Sequence, residues 1–278
     1  MEYRSITQLR NDVERKEREL HHVKQLIGGY EQQEQLLQRR KLVLLLDLDH
    51  TLLHSSTATA VAPDGVFRFQ LEGDGPLTQR QTRLRPHVDN FLKNMNELFQ
   101  LQICTQGIRE YANKMAIFLD MDGHYFGDRI ISREDIGSLR SKTGVLDTLF
   151  PVGDHLVVII DDQTKVWGSA PNVIGVKPYS FFGQADVNHL NDGDDYLLHL
   201  ETMLRGIHGD FFRAHDASVC KEDVSLTHVK DFMAINVQCP VSLPPLTNRA
   251  TKRFGNCCQE EQPLSKRRRT AINFTTVN

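Results

Sequence analysis

Residues 41–51 read Lys41-Leu42-Val43-Leu44-Leu45-Leu46-Asp47-Leu48-Asp49-His50-Thr51. Leu42 to Leu46 are apolar without a break, and the run is strand-sized, so it reads as a strand buried on both faces. Similar runs at 98–104 and 156–160 close on Thr105 and on Asp161-Asp162. Helical patterns at 87–96 and 109–119 lie between the first two runs. Strands alternating with helices predict an α/β domain with a parallel sheet. Such sheets bind ligands at the carboxyl ends of their strands, so the residues just after each run are the candidates for chemistry.

Two carboxylates two residues apart at a strand end can take different roles. The first is placed to attack an electrophile or hold a metal, and the second, where the chain turns away, reaches the other side of the reacting group. Carboxylates converging on one site repel each other, which calls for a divalent cation; Mg²⁺ suits an all-oxygen donor set. On residue type alone, Asp47, Asp49 and Asp162 could equally cap turns, Thr105 a helix, and Lys142 could be a solvated surface lysine.

Composition bounds the rest. The chain has 278 residues, of which 40% are hydrophobic and 25% charged, as expected of a soluble, folded chain of one or two domains rather than a disordered or fibrous one. No apolar run approaches the length of a membrane span, and the charged N-terminus lacks the apolar region of a signal peptide. The 5 cysteines include no CxxC pair, which fits a reducing compartment. The net charge of −3 conceals a basic tail, Arg249 to Asn278.

Residues 1–39 form a separate segment. Ile6, Leu9, Val13, Leu20, Val23, Ile27, Tyr30 and Leu37 share one alternating three-and-four spacing, the pattern of an amphipathic helix. Lys16 and Glu34 fall on the same seam and Gly28-Gly29 interrupts it, so packing on the parent domain is expected ahead of a partner coiled coil. The catalytic domain is expected over 40–235, with its core at 40–183 and a helical extension at about 194–212. Turn residues around Val66 to Leu71 predict a hairpin-like insertion over 55–82, a candidate lid. Asp192 to Asp195 read as a cap on the following helix. Residues 236–278, with Pro240, Pro244, Pro245 and the run Lys266-Arg267-Arg268-Arg269, read as a disordered basic tail carrying a nuclear-import signal.

The segments "KLVLLLDLDHTLLH", "TRLRPHVDNFL", "CTQGIREYA", "SKTGVLDTLFPVGD" and "VVIIDDQTKVWGSAPNVIGVKPYSFF" closely resemble, in this order, the phosphatases that act on the C-terminal domain of RNA polymerase II, of the type that interacts with transcription factor IIF. These belong to the haloacid dehalogenase superfamily. The likeness covers roughly 40–212. It implies a haloacid-dehalogenase-like Rossmannoid domain and a Mg²⁺-dependent serine/threonine phosphatase that works through an aspartyl-phosphate.

Carried over by position, the resemblance implies Asp47 as nucleophile and metal ligand and Asp49 as general acid and base, with its main-chain carbonyl on the metal. Thr51 braces their loop, Thr105 binds a phosphate oxygen, and Lys142 faces the phosphoryl group. Asp162 completes the metal shell, with Asp161 beside it as an orienting residue and further metal-site candidate. Arg83 and Arg85 are candidates for contacting phosphorylated residues of a substrate, although a salt bridge ahead of the helix opened by Pro86 is an equal alternative. Trp167 and the aromatics at 179–182 read either as a peptide groove or as core.

The implied partners are the phosphorylated repeat of the polymerase and transcription factor IIF, without nucleic acid or membrane, and the implied location is the nucleus. His50 replaces the glutamine or glycine common in the signature, and the stretch after Phe212 leaves no room for the BRCT module of full-length relatives. The competing readings are a small-molecule phosphatase or phosphotransferase of the same superfamily, and an inactive phosphopeptide-binding paralogue. The lack of a large helical cap between Asp49 and Thr105 argues against the former, and the intact set of site residues against the latter.

Overall fold

The computed structural model describes residues 6–57, 64–72, 78–137, 141–182, 193–220 and 227–233. The basic run at Lys266 to Arg269 and the expected tail lie outside them. No described helix is long and apolar enough to cross a membrane.

The run at the start of the domain is β1 (Leu42–Leu46), and every residue of it is fully buried. It lies at the centre of a five-stranded parallel sheet. On one side it pairs with β5 (Phe99–Cys104), Leu42 beside Phe99 and Leu46 beside Ile103, and on the other with β7 (Val157–Asp161). The short strands β6 (Ile130–Ile131) and β8 (Val173–Gly175) complete the order β6-β5-β1-β7-β8. The chain builds outward to one side of β1 and then to the other, which makes the carboxyl end of β1 the topological switch point.

The sheet faces are covered by α2 (Val88–Leu98), α3 (Arg109–Leu119), α5 (Thr143–Leu149) and α6 (Tyr196–Cys220). The α6 stripe Leu197, Leu200, Leu204, Ile207 and Phe211 repeats at alternating steps of three and four and is buried throughout. This helix runs well beyond the extension expected to end near 212. Between β6 and α5, Ser132 opens the single turn α4 (Arg133–Ile136) with a capping box to Asp135.

The insertion after β1 is a three-stranded antiparallel sheet rather than a lone hairpin. β2 (Leu53–Thr57) and β3 (Val66–Leu71) flank β4 (Thr78–Leu84), which carries Arg83.

The N-terminal helix α1 (Ile6–Gln38) departs furthest from expectation. Among the described residues, its last turns alone meet the domain. Leu36 joins the core, Gln33 donates to the Gly153 carbonyl, and a Cβ on Gly29 would come within 3.1–3.2 Å of Val152 and Pro151. The expected packing seam is instead exposed, from Ile6 at 74% to Tyr30 at 64%. The residues that dock are Gly29, Gln33, Leu36 and Leu37, and of these Leu37 alone belongs to that seam.

Candidate active site

The site forms where β1, β5 and β7 end side by side. Asp47 follows β1, its main-chain N–H donating to the Ile160 carbonyl of β7, so its carboxyl is fixed by the sheet itself. The chain then turns sharply. His50 adopts a left-handed conformation (φ 62°), which histidine tolerates better than most residues, and exchanges main-chain bonds with Leu53 and Tyr179. That turn separates the Asp47 and Asp49 side chains.

Lys142, at the head of α5, is buried and reaches into the sheet end. Its Nζ donates to Asp47 Oδ1 at 2.7 Å, Asp161 Oδ2 at 2.7 Å and the Cys104 carbonyl at 2.9 Å. Burial alone would drive this ammonium to lose its proton, but the two carboxylates outweigh it and hold its pKa above the ordinary lysine value. Burial likewise pushes the Asp47 carboxyl above the usual carboxylate range, with Asp161 and Asp49 adding to the effect against Lys142.

Asp161 is locked on all sides. Its Oδ2 also accepts from Trp167 Nε1 at 2.8 Å and its Oδ1 from the Gln163 amide at 2.7 Å. Trp167, at the end of a 3₁₀ turn (Thr164–Trp167), is therefore core rather than groove, and it orients an acid. Thr51 is fully buried, with its Oγ1 3.3 Å from Asp47 Oδ2 and accepting the Asp162 amide at 3.3 Å, so it ties the two strand ends together.

Asp47, Asp161 and Asp162 present carboxylate oxygens within 4.8 Å of one another. Asp162 Oδ1 is buried without a hydrogen-bond partner, and burial followed by the Asp161 charge raises the pKa of its carboxyl. An orphaned hard-oxygen donor beside two further carboxylates fits a divalent cation of the Mg²⁺ type. The Asp49 side chain stands apart from this cluster.

Instead, Tyr111 of α3 donates to Asp49 Oδ1 at 2.5 Å and shares a 2.6 Å bond with Ser55 Oγ. Burial raises the pKa of Asp49, while the Tyr111 bond opposes the shift. Sequence reading missed Tyr111, since an aromatic on a helix stripe looks like core. The one available signal was Gly107, where a Cβ would fall 2.5 Å from Tyr111 Cδ1, so this close approach requires glycine. Thr105 follows β5, and its Oγ1 accepts the Gly107 amide at 3.0 Å, which shapes the loop ahead of α3.

The two arginines part company. Arg85 is buried, with Nε and Nη2 bonded to Asp194 at 3.1 and 3.0 Å, Nη1 to the Thr51 carbonyl at 3.0 Å, and its guanidinium over the Tyr196 ring. Its charge is spent inside the domain, so of the two alternatives for Arg85 the geometry matches the salt bridge and not the contact with substrate. The same bonds explain the acidic cluster, since Asp194 also caps α6 by accepting the Tyr196 amide at 3.0 Å. Arg83 stays half-exposed on β4, donating to the Asp64 carbonyl and lying over the Phe181 ring.

A parallel sheet of this order, with an aspartate after its central strand, acids after the neighbouring strand and a buried lysine between them, defines a haloacid-dehalogenase-like α/β domain. Residues 42–216 match the family model described as NLI interacting factor-like phosphatase, and the chain belongs to that family. It is 45% identical over 163 residues to the human phosphatase of the RNA polymerase II C-terminal domain, covering 58% of this chain and 17% of that protein. To the Caenorhabditis elegans protein of the same name it is 35% identical over 227 residues, covering 71% of this chain and 33% of the other. The chain thus spans about a third or less of the length of these two relatives. A solved structure of Fcp1, an essential RNA polymerase II CTD phosphatase, superposes with a TM-score of 0.67 at 29% identity, covering 74% of this chain and 73% of that one. A fission yeast Fcp1 variant bound to beryllium fluoride gives 0.66 at 27% identity, with the same coverage.

Proposed function

We propose that the chain is a Mg²⁺-dependent protein serine/threonine phosphatase acting on the phosphorylated C-terminal repeat of RNA polymerase II. The observation that carries the reading is the buried Lys142 ammonium bridging Asp47 and Asp161 beside an unpartnered Asp162 oxygen. In this reading Asp47 attacks phosphorus in line, and the bond from phosphorus to the serine or threonine oxygen breaks. Asp49, whose raised pKa suits a proton donor, protonates the departing oxygen. It then takes a proton from the water that attacks the aspartyl-phosphate, releasing phosphate and restoring Asp47.

Lys142 balances the charge of Asp47 and the phosphoryl oxygens, while Tyr111 holds the Asp49 carboxyl in place. Asp47 and Asp162 would hold the cation, with Asp161 orienting Lys142 and the main chain at Asp49 as a further candidate donor. The cation supplies charge neutralisation at the phosphoryl oxygens. Thr105 and the amides around Gly107 are assigned to a phosphate oxygen, and the half-exposed Arg83 with Phe181 to a flanking part of an extended peptide.

The substrate assignment is supported by the activity for which the relatives are named, as is a nuclear location. An encounter with transcription factor IIF rests on the family resemblance alone. The decisive measurement is phosphate release from singly phosphorylated heptad-repeat peptides, with and without Mg²⁺, against sugar phosphates. Turnover of the peptides that requires Mg²⁺ and is lost in Asp47→Asn and Asp49→Asn is expected. Equal turnover of sugar phosphates, or activity surviving in Asp47→Asn, would overturn the assignment.

A further inference from the structure

The exposed seam of α1 is a strict heptad. With Ile6 at position a, the a positions are Ile6, Val13, Leu20 and Ile27, and the d positions are Leu9, Lys16, Val23 and Tyr30. All but Lys16 are large and apolar, and each of these is at least 49% exposed. The seam covers about three and a half heptads, the length at which such a pattern supports a coiled coil. A helix this long and polar, docked among the described residues through Gly29, Gln33, Leu36 and Leu37 near its end, has little else to stabilise its first turns. Gly29 and Leu36 are c positions, Gln33 is a g position and Leu37 lies beyond Tyr30, so the seam from Ile6 to Tyr30 remains exposed.

The flanking charges select the occupant. Along the e edge, Arg10, Glu17, Lys24 and Glu31 alternate in sign, and none makes an ion pair among the described residues. The g-edge acids Asp12 and Glu19 are instead engaged within the helix by Arg15, at 2.9 and 4.0 Å. In antiparallel coiled coils e faces e and g faces g. Two copies of an alternating e edge, run in opposite directions and offset so that Arg10 meets Glu31 and Glu17 meets Lys24, bring plus onto minus at every site.

We propose that α1 pairs with α1 of a second copy as an antiparallel coiled coil. Arg10 and Glu17 of each chain then face Glu31 and Lys24 of the other. This register seats Leu20 against Val23 and Val13 against Tyr30 of the second copy, and sets Lys16 against Ile27. The parallel alternative opposes Asp12 to Glu17 and stacks the two Lys16 ammonium groups in one layer, which like-charge repulsion disfavours. In the antiparallel pair the catalytic domains lie at opposite ends of the rod.

Sedimentation equilibrium of the full chain between about 1 and 200 µM tests this. The 31.8 kDa chain is expected to double its mass as concentration rises. Leu20→Glu combined with Val23→Glu, both on the exposed seam, leaves a monomer whose domain unfolding transition is unchanged. Glu17→Lys turns two attractive contacts into two repulsive ones and weakens the dimer about tenfold. A wild-type chain that stays monomeric across the range overturns the proposal, as does a dimer that survives the seam double variant. Tighter association of Glu17→Lys also overturns it, because in a parallel pair that substitution would create an Asp12–Lys attraction.

Discussion

Arg85 decides between two readings of the "TRLRPH" segment. Its guanidinium makes a two-point contact with Asp194 and a third bond to the Thr51 carbonyl, and the side chain is only 1% exposed. Replacing it with leucine leaves the Asp194 carboxylate and the Thr51 carbonyl without their donor. Breaking one side of a buried ion pair costs about 3–5 kcal/mol, and an orphaned carbonyl adds to the upper end of that range rather than a separate increment. For a domain of about 200 residues, where 1 kcal/mol moves Tm by roughly 2–4 °C, the expected fall is ~6–20 °C. Arg85→Lys keeps the charge but not the fork and should recover less than half of it. Because Asp194 loses its partner in either case, Asp194→Leu added to Arg85→Leu should cost far less than the sum of the two single changes. Thermal and urea unfolding provide the assay, with peptide kinetics measured well below each Tm. An Arg85→Leu protein with unchanged Tm and a raised KM for the phosphopeptide would refute the structural role and return the residue to substrate recognition.

Lys142→Met should lower kcat by ~100–1,000-fold, since it removes the positive charge beside Asp47, the proposed nucleophile. Its stability should improve as pH falls from 7 to 5, because burial raises the pKa of Asp47 and the lysine that opposes this shift is gone, so Asp47 gains a proton more readily than in the unfolded chain; chemical denaturation at the two pH values checks this. Tyr111→Phe removes a hydrogen bond to a carboxylate worth about 1.5–3 kcal/mol, so kcat should drop roughly 10- to 100-fold with little change in KM. The bond also lowers the pKa of Asp49, so its loss should move the high-pH limb of the rate profile upward. His54 gives a different signature, because its Nδ1 accepts the amides of Phe181 and Phe182 and must stay unprotonated, while burial and then His50 push its pKa down to about 4. A depressed histidine contributes stability above the unfolded value of about 6.5 and loses it as pH falls toward 4. Allowing for partial exposure, wild type should lose about 1–2 kcal/mol more than His54→Gln between pH 7 and pH 4.5.

What could be read from the sequence was whatever a local pattern determines. β1 announced itself because a strand buried on both faces needs an unbroken apolar run, and Leu42–Leu46 is one. The acids after β1 and β7 were legible for a related reason, since a parallel sheet brings all its carboxyl ends to one edge. Other features depend on distant partners. Nothing local distinguishes Arg83 from Arg85, yet β4 ends between them at Leu84. Arg83 stays on the strand and half-exposed, while Arg85, just past its end, turns inward to Asp194, more than a hundred residues away. Tyr111 sits on the buried stripe of α3 and looks apolar until its hydroxyl is seen to meet Asp49 and Ser55. The α1 seam reads as a face packed on the domain, yet Ile6 to Tyr30 are exposed and Leu37 alone of the seam meets the core, because periodicity reports that a face is apolar and not what covers it.

The charge balance of the site sets what it can accept. The carboxyl groups of Asp47, Asp161 and Asp162 converge near the Lys142 ammonium with Asp49 to one side, and Trp167 and the Gln163 amide bind Asp161 without adding charge. Two unit charges 4 Å apart interact by about 4 kcal/mol at an effective dielectric of 20, so a phosphate dianion entering this site alone meets repulsion that Lys142 cannot cancel. The burial that lifts the pKa of Asp49 removes one of those negative charges whenever the group holds its proton, which is also the state required of a general acid. A divalent cation on Asp47 and Asp162 would remove most of the remainder. The orphaned Asp162 oxygen and the proton-retaining Asp49 are thus two parts of one electrostatic arrangement, in which a cation held by Asp47 and Asp162 would lower the charge that a phosphoryl group meets.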